Sequence, residues 1–225
     1  MKRKGIVLLI ICILLATEYF LKSEYYESKK EKEQSDSVKT NKDTPEVKNG
    51  DIIFHTSQST QSEAIQLATN SKYSHCGIIF IQNDQPYVFE AIQPVKLTPL
   101  NQWIARGKEN KYVIKRLIDA NHILTKEVLA KMQAIGESFL GKNYDLTFEW
   151  NDEKLYCSEL IWKIYQRGAD IELGKLEKLE DFDLSDIKVQ TKLQERYGTN
   201  IPLNETVISP QAIFDSSLLM TIQEE

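Results

Sequence analysis

The sequence predicts an α+β domain built on a small antiparallel sheet, and three observations carry that expectation. Two apolar-rich runs, Cys76 to Gln82 and Pro86 to Ala91, flank Asn83-Asp84, a pair that tolerates positive φ and suits a two-residue hairpin turn. Two later stretches, Thr125 to Leu140 and Tyr156 to Gln166, carry helical periodicity instead. Strand-like and helix-like segments are mixed along the chain, with no internal repeat.

Taken in order, Asp51 to Phe54 reads as a short strand. Ser62 to Thr69 reads as a helix with Ala64, Ile65 and Ala68 on one face. The hairpin follows, then a short helix from Leu100 to Arg106 ending at Gly107, and a strand from Tyr112 to Leu117. The longer helix, Thr125 to Leu140, takes Thr125 as its N-cap and Gly141 as its C′ stop. In Tyr156 to Gln166 the stripe is Leu160, Ile161, Ile164 and Tyr165, with Gly168 expected just past the end. A helix over Lys188 to Tyr197 and a helix start at Ser209-Pro210 complete the pattern.

The N-terminal segment reads differently. Lys2, Arg3 and Lys4 precede the unbroken apolar run Ile6 to Ala16, the layout of a secretory signal. Tyr19, Phe20 and Leu21 extend the run, yet it stays short of the ~20 apolar residues that span a bilayer comfortably. Residues 1–21 are therefore expected to direct export, either as a cleaved signal peptide or as an N-terminal membrane anchor, with membrane association through residues 6–21. Residues 22–49 hold seven Lys and seven acidic residues with little to bury, and read as a polar tether. Residues 50–225 form the folded domain, long enough for one good core.

Composition narrows the function classes. With 41% hydrophobic and 27% charged residues, the 225-residue chain has the composition of a globular protein. Its 28 basic residues face 33 acidic ones, and the part from residue 50 onward carries about −7. No basic stripe exists for nucleic acid. Cys12, Cys76 and Cys157 fit neither a disulfide framework nor a zinc spacing.

With three histidines, a nucleophile–base pair can be searched exhaustively. Cys157 opens a helix after the polar loop Asn151-Asp152-Glu153-Lys154. There the unpaired N–H groups and the macrodipole favour a thiolate and supply donors for an oxyanion. His75 opens the strand that runs into Gly77. If Asn83 and Asp84 are the hairpin loop, Gln82 pairs with Gln85 and Gly77 lies opposite Glu90. His75, Gly77 and Glu90 then project to one side, with His75 and Glu90 diagonal neighbours about 7 Å apart at the backbone. Such a carboxylate can orient an imidazole and stabilise its charged form.

Each residue also has a structural reading. Cys157 could be a helix-core filler, His75 a structural histidine and Glu90 a polar-face residue of an alternating strand. Cys76 is expected on the opposite face, packed with Ile78 and Phe80; that divergence from His75 argues against a His55, His75, Cys76 metal site. His55 and His122 read as surface or capping groups. Tyr144, Phe148 and Trp150 read either as a cleft lining or as an edge-of-core cluster.

Several short motifs occur together in order: Gly50-Asp51-Ile52-Ile53-Phe54, Tyr73-Ser74-His75-Cys76-Gly77, Tyr87-Val88-Phe89-Glu90-Ala91, Gly141-Lys142-Asn143-Tyr144-Asp145, Leu155-Tyr156-Cys157-Ser158-Glu159-Leu160 and Ser209-Pro210. This set resembles the YiiX/YaeF-type permuted papain-like amidases, a branch of the NlpC-type cysteine peptidases, across nearly all of residues 50 to 215. Ordinary members place the Cys-bearing helix before the His strand, whereas His75 here precedes Cys157 by 82 residues, as circular permutation requires. The resemblance implies a papain-like α+β fold with Cys157 as nucleophile, His75 as general base and Glu90 as its orienting residue. It also suggests Tyr144 near the oxyanion or substrate, and no metal or organic cofactor. Cys76 departs from the aliphatic residue usual at that place.

The expected function is an exported cysteine hydrolase of the cell envelope. It would cleave an amide bond, in a cell-wall (peptidoglycan) peptide or a lipid-linked amide, through a thioacyl-enzyme. An acyltransferase or lipid-modifying enzyme on the same fold, and a non-catalytic envelope binding module, are the alternatives. Pocket shape is expected from the segments around Ser57 to Ser71, Lys142 to Lys154 and Phe182 to Pro202.

Overall fold

A computed structural model describes residues 46–225. In chain order these form β1 (Ile52–His55), α1 (Thr60–Thr69), β2 (His75–Gln82), β3 (Gln85–Glu90), β4 (Lys96–Pro99), α2 (Leu100–Ile104) and β5 (Val113–Leu117). Then come α3 (Ala120–Ile123), α4 (Lys126–Phe139), β6 (Asn143–Tyr144), β7 (Lys154–Leu155), α5 (Cys157–Ala169) and β8 (Glu177–Lys178). Last are α6 (Ile187–Tyr197), β9 (Thr206–Val207), α7 (Pro210–Phe214) and β10 (Leu219–Glu224). The chain is α+β, as the sequence predicts.

Six strands make one sheet in the order β10-β5-β1-β2-β3-β4, and every neighbouring pair is antiparallel. The hairpin sets the register. Asn83 and Asp84 have φ of 50° and 60°, the left-handed pair that a tight two-residue turn requires. The ladder runs from Gln82 opposite Gln85 to Ile78 opposite Phe89, which puts Gly77 level with Glu90.

Both faces of the sheet are covered, which is why β2 is buried over six successive residues rather than alternating. On one face Phe54, Ile78 and Phe89 pack in a core with Met132 and Phe139 of α4 and Leu160 and Ile164 of α5. On the other, Ile53, Ile79 and Val88 meet Trp103 and Leu100 of α2. At Gly77 an added Cβ would lie 2.2 Å from Val88 Cγ1 and 2.9 Å from the Phe89 carbonyl, so β3 comes close only because that side chain is missing.

Thr125 caps α4 by accepting the Val128 N–H, and Gly141 follows with φ +80°. Gly168 does not end its helix. It lies inside α5, where a Cβ would come 2.3 Å from Met132 Cγ; it is the point of close approach between α5 and α4, and Asp170 forms the left-handed cap instead. Strands β4 and β10 were not expected from the sequence; both are edge strands that gain their pairing only from the assembled sheet. Glu46 to Asn49, read from sequence as the tether's end, lie against the sheet: Asn49 Oδ1 accepts the Ile81 N–H at 2.6 Å and Val47 packs on the second core. The signal or anchor over residues 1–21 and the tether up to Pro45 lie outside the described residues. No described helix is long and apolar enough to cross a membrane.

Candidate active site

Cys157 is the first residue of α5 and is 3% exposed. Tyr156 stands in extended conformation before it as N-cap, its N–H reaching Glu159 Oε2 at 3.4 Å. The preceding polar loop is tied to the helix by a buried ammonium. Lys163 donates to Glu159 Oε1 (2.6 Å), to Asp152 Oδ1 (2.9 Å) and to the Asn151 carbonyl, while Arg167 grips Asp152 at 2.7 and 2.9 Å. Burial pushes the Glu159 carboxyl up to about 7 against the pull of Lys163. This clamp fixes where the helix, and with it the sulfur, begins.

His75 opens β2 and reaches the same sulfur. Its Nε2 lies 2.8 Å from Oε2 of Glu90, which is completely buried. Nδ1 is left for Cys157, whose sulfur is near enough to favour the charged ring. The opposite carboxylate oxygen, Oε1, accepts from Thr98 Oγ1 and Arg106 Nη2, both at 2.5 Å. Burial would raise the Glu90 carboxyl, but the His75, Thr98 and Arg106 donors hold it down at about 2. Burial disfavours the charged ring, but Cys157 and Glu90 together raise His75 to about 9. The thiol responds in kind. Contact with the Cys76 thiol, then with His75, holds Cys157 well below the usual thiol range despite burial. Burial and the facing sulfur push Cys76 up, so Cys76 remains a protonated donor.

Tyr144 comes to this point through a short parallel pairing of β6 with β7, which sets it beside Leu155. Gln93 holds the segment: its Oε1 accepts the Tyr144 N–H at 2.7 Å and its Nε2 donates to Asn143 Oδ1 at 2.6 Å. Gln61 Nε2 donates to the Tyr144 hydroxyl oxygen at 3.0 Å, so the hydroxyl proton is free to point elsewhere. Burial and the neighbouring Cys157 keep that hydroxyl protonated.

Two cavities meet at Gln61, Ile65 and Tyr144, which line both. One, of about 100 Å³, reaches Cys157 and has apolar walls from α1, α6 and the 179–184 segment, among them Ala64, Ile65, Leu184 and Leu193. The other, of about 370 Å³, opens on His75 and is edged by Ser57, Ser59, Ser62 and Gln93.

The structure thus brings Cys157, His75, Glu90 and Tyr144 together, and the register read from the turn places Glu90 correctly. Other expectations need correction. His55 is no surface group: it is 2% exposed, pairs with His75 across the β1–β2 ladder, and stacks on Trp103 with ring centroids 4.0 Å apart. Burial, then the charge on His75, lower its pKa to about 3, so it stays neutral. Cys76 packs with Ile78 and Phe80 as expected, but it shares that core with Cys157 and its thiol acts on the Cys157 thiol. Trp150 packs edge-on against Trp162, while Tyr144 and Phe148 line the apolar cavity. Sequence reasoning missed Thr98 and Arg106; a threonine and an arginine on the segments after the hairpin carry no local signal of contact with Glu90.

Comparison with known proteins identifies the family. Residues 46–223 match the model of the permuted papain-like amidase enzymes, the YaeF/YiiX, C92 family. The chain is 52% identical over 176 residues to the uncharacterized protein YiiX of Escherichia coli strain K12, covering 78% of this chain and 86% of that protein. It also superposes with a TM-score of 0.76 and 52% identity on the crystal structure of metalloprotein yiiX from Escherichia coli O157:H7, over 79% of this chain and 97% of that one. Among the described residues, no three His, Cys, Asp or Glu side chains gather closely enough to hold a metal ion.

Proposed function

The chain belongs to the family of permuted papain-like amidases, and we propose that it is a cysteine hydrolase that cuts an amide bond through a thioacyl-enzyme. One observation carries this reading: the thiol at the start of α5 meets an imidazole whose far nitrogen is held by a buried carboxylate.

In the proposed cycle the Cys157 thiolate attacks the substrate carbonyl, and backbone N–H groups of the first turn of α5 receive the developing oxyanion. The Tyr144 hydroxyl, its oxygen already engaged by Gln61, adds a further donor. His75, charged while Cys157 is a thiolate, gives its proton to the leaving amine. It then takes a proton from water, whose oxygen attacks the thioester and frees the acid and the Cys157 thiolate, restoring the starting ion pair. Glu90 keeps the ring in place and stabilises its charged form. The cycle needs no metal or organic cofactor.

The cavity walls favour a lipid-linked amide over a cell-wall peptide. An apolar chamber at the sulfur suits an acyl chain. The second cleft, edged by Ser57, Ser59, Ser62 and Gln93, lies on the side of His75, where the protonated amine must leave. For location, Lys2 to Lys4 and the run Ile6 to Ala16 support export to the cell envelope.

The test pairs N-octanoyl amines against peptidoglycan stem peptides, with products analysed with and without an added amine acceptor. Release of octanoic acid, lost in Cys157→Ala, supports the reading; cleavage of the peptides alone reassigns the substrate, and transfer to the added amine in place of acid makes the enzyme an acyltransferase. Fractionation should place the full chain outside the cytoplasm, and removal of residues 1–21 should retain it inside.

A further inference from the structure

The apolar chamber beside Cys157 contains a charge that the fold does not use. Four arginines fall among the described residues. Arg106 binds Glu90, Arg116 binds Asp51 and Arg167 binds Asp152. Arg196, in the last turn of α6, is the exception: among the described residues it has no ion pair and no hydrogen bond, although this part of the chain is rich in acid. Its guanidinium carbon stands 4.8 Å from the Phe148 ring centroid, and it lines the same cavity as Cys157.

The neighbouring charges are already committed. Lys192, one turn earlier, bonds Glu195 at 2.6 Å. Asp145 accepts the N–H groups of Thr147 and Glu149 at 2.8 and 2.7 Å, and Glu205 accepts that of Trp150 at 2.9 Å. A guanidinium parked on an aromatic face keeps its planar fork of donors available, and apolar walls strengthen any pairing it makes. Tyr144 lines the same cavity as Arg196 and Cys157, which places the guanidinium in the chamber that holds the reacting groups.

We propose that Arg196 reads the substrate by binding an anionic group, a carboxylate or a phosphate, carried by the acyl half that occupies the apolar chamber. The assignment deepens the hydrolase reading and rests on it: Arg196 lines the chamber of the sulfur and not the cleft of His75, so the anion belongs to the portion that becomes the thioacyl group. The substrate class is then an anionic amphiphile with a cleavable amide.

Calorimetric binding to full-chain Cys157→Ala protein tests this without turnover, using octanoate, octyl phosphate and neutral octanamide as probes. At least one anion should bind ten times or more tightly than octanamide, and the better of the two names the group. Adding Arg196→Met, which keeps a long side chain over Phe148 but no charge, should abolish that preference while octanamide binding stays within about twofold. Equal affinity for all three probes, no binding of either anion, or an equal loss for all three in the Arg196→Met variant would each overturn the assignment. Wild-type turnover of a neutral N-octanoyl amine, measured alongside, reports on the hydrolase reading separately, because it does not depend on the anion.

Discussion

Glu90 reaches across the space left by Gly77 to receive the Nε2–H of His75 at 2.8 Å, while its other oxygen takes Thr98 and Arg106. One buried carboxylate thereby links three strands and a helix end to the imidazole. It determines both the direction of the ring and the charge it can hold.

The first prediction concerns pH. Cys157 is held as a thiolate below its usual range while His75 titrates near 9. Alkylation by iodoacetamide should therefore already be independent of pH at 7, where an ordinary thiol would still gain about tenfold per unit toward its pKa of ~8.5. Amide turnover should decline as pH rises through about 9, because His75 then has no proton for the leaving amine. Alkylation that climbs steadily from pH 7 to 9 would contradict the ion pair.

Glu90→Gln should lower kcat by roughly ten- to a thousandfold, less than loss of the nucleophile or the base, since the amide can still orient the ring without stabilising its charge. The folded-state pKa of Glu90 lies near 2, below its ordinary 4.5, so the stability it contributes is present above 4.5 and is lost as pH falls toward 2. Acid unfolding of the Glu90→Gln variant should accordingly be flatter across that range, as followed by circular dichroism.

Cys76→Ala separates packing from chemistry. Loss of the buried side chain should cost on the order of 1 kcal/mol in chemical denaturation. Because the Cys76 thiol is the leading influence holding Cys157 down, the acid limb of the alkylation profile should also move upward in pH. An unmoved limb would reduce Cys76 to a core filler.

His55→Ala and Gly168→Ala probe two of the places where the fold overruled the sequence. Removing His55 strips the stack from Trp103 and the cross-strand neighbour of His75, so both stability and kcat should drop. Gly168→Ala forces a methyl into Met132 and should cost about 1–3 kcal/mol with the chemistry of the surviving folded enzyme unchanged. Thermal melts and kcat on the soluble fraction distinguish the two.

These cases show what was legible in the sequence. A two-residue turn fixes register, and strand alternation then fixes faces, so the His75–Glu90 pair followed from Asn83-Asp84 alone. Local capping chemistry likewise gave Thr125 and Gly141. What depended on tertiary docking was hidden. The donors Thr98 and Arg106 reach Glu90 only after β4 and the end of α2 have packed. His55 is buried because α2 brings Trp103 over a strand end that looked exposed. Gly168 obeyed a helix–helix approach rather than a stop signal. The chamber draws on all three segments expected to shape it, including α1 and α6, but the approach of those two helices is encoded by no local pattern.

The most direct test of the central claim is to acid-quench the enzyme during reaction with an N-octanoyl amine and map the adduct by mass spectrometry. An octanoyl group on the Cys157 peptide is predicted, absent from Cys157→Ala and reduced at least a hundredfold in His75→Ala, with turnover falling to background in both. Octanoate released at the wild-type rate by folded Cys157→Ala, or an adduct on any other residue that turns over at the catalytic rate, would contradict it.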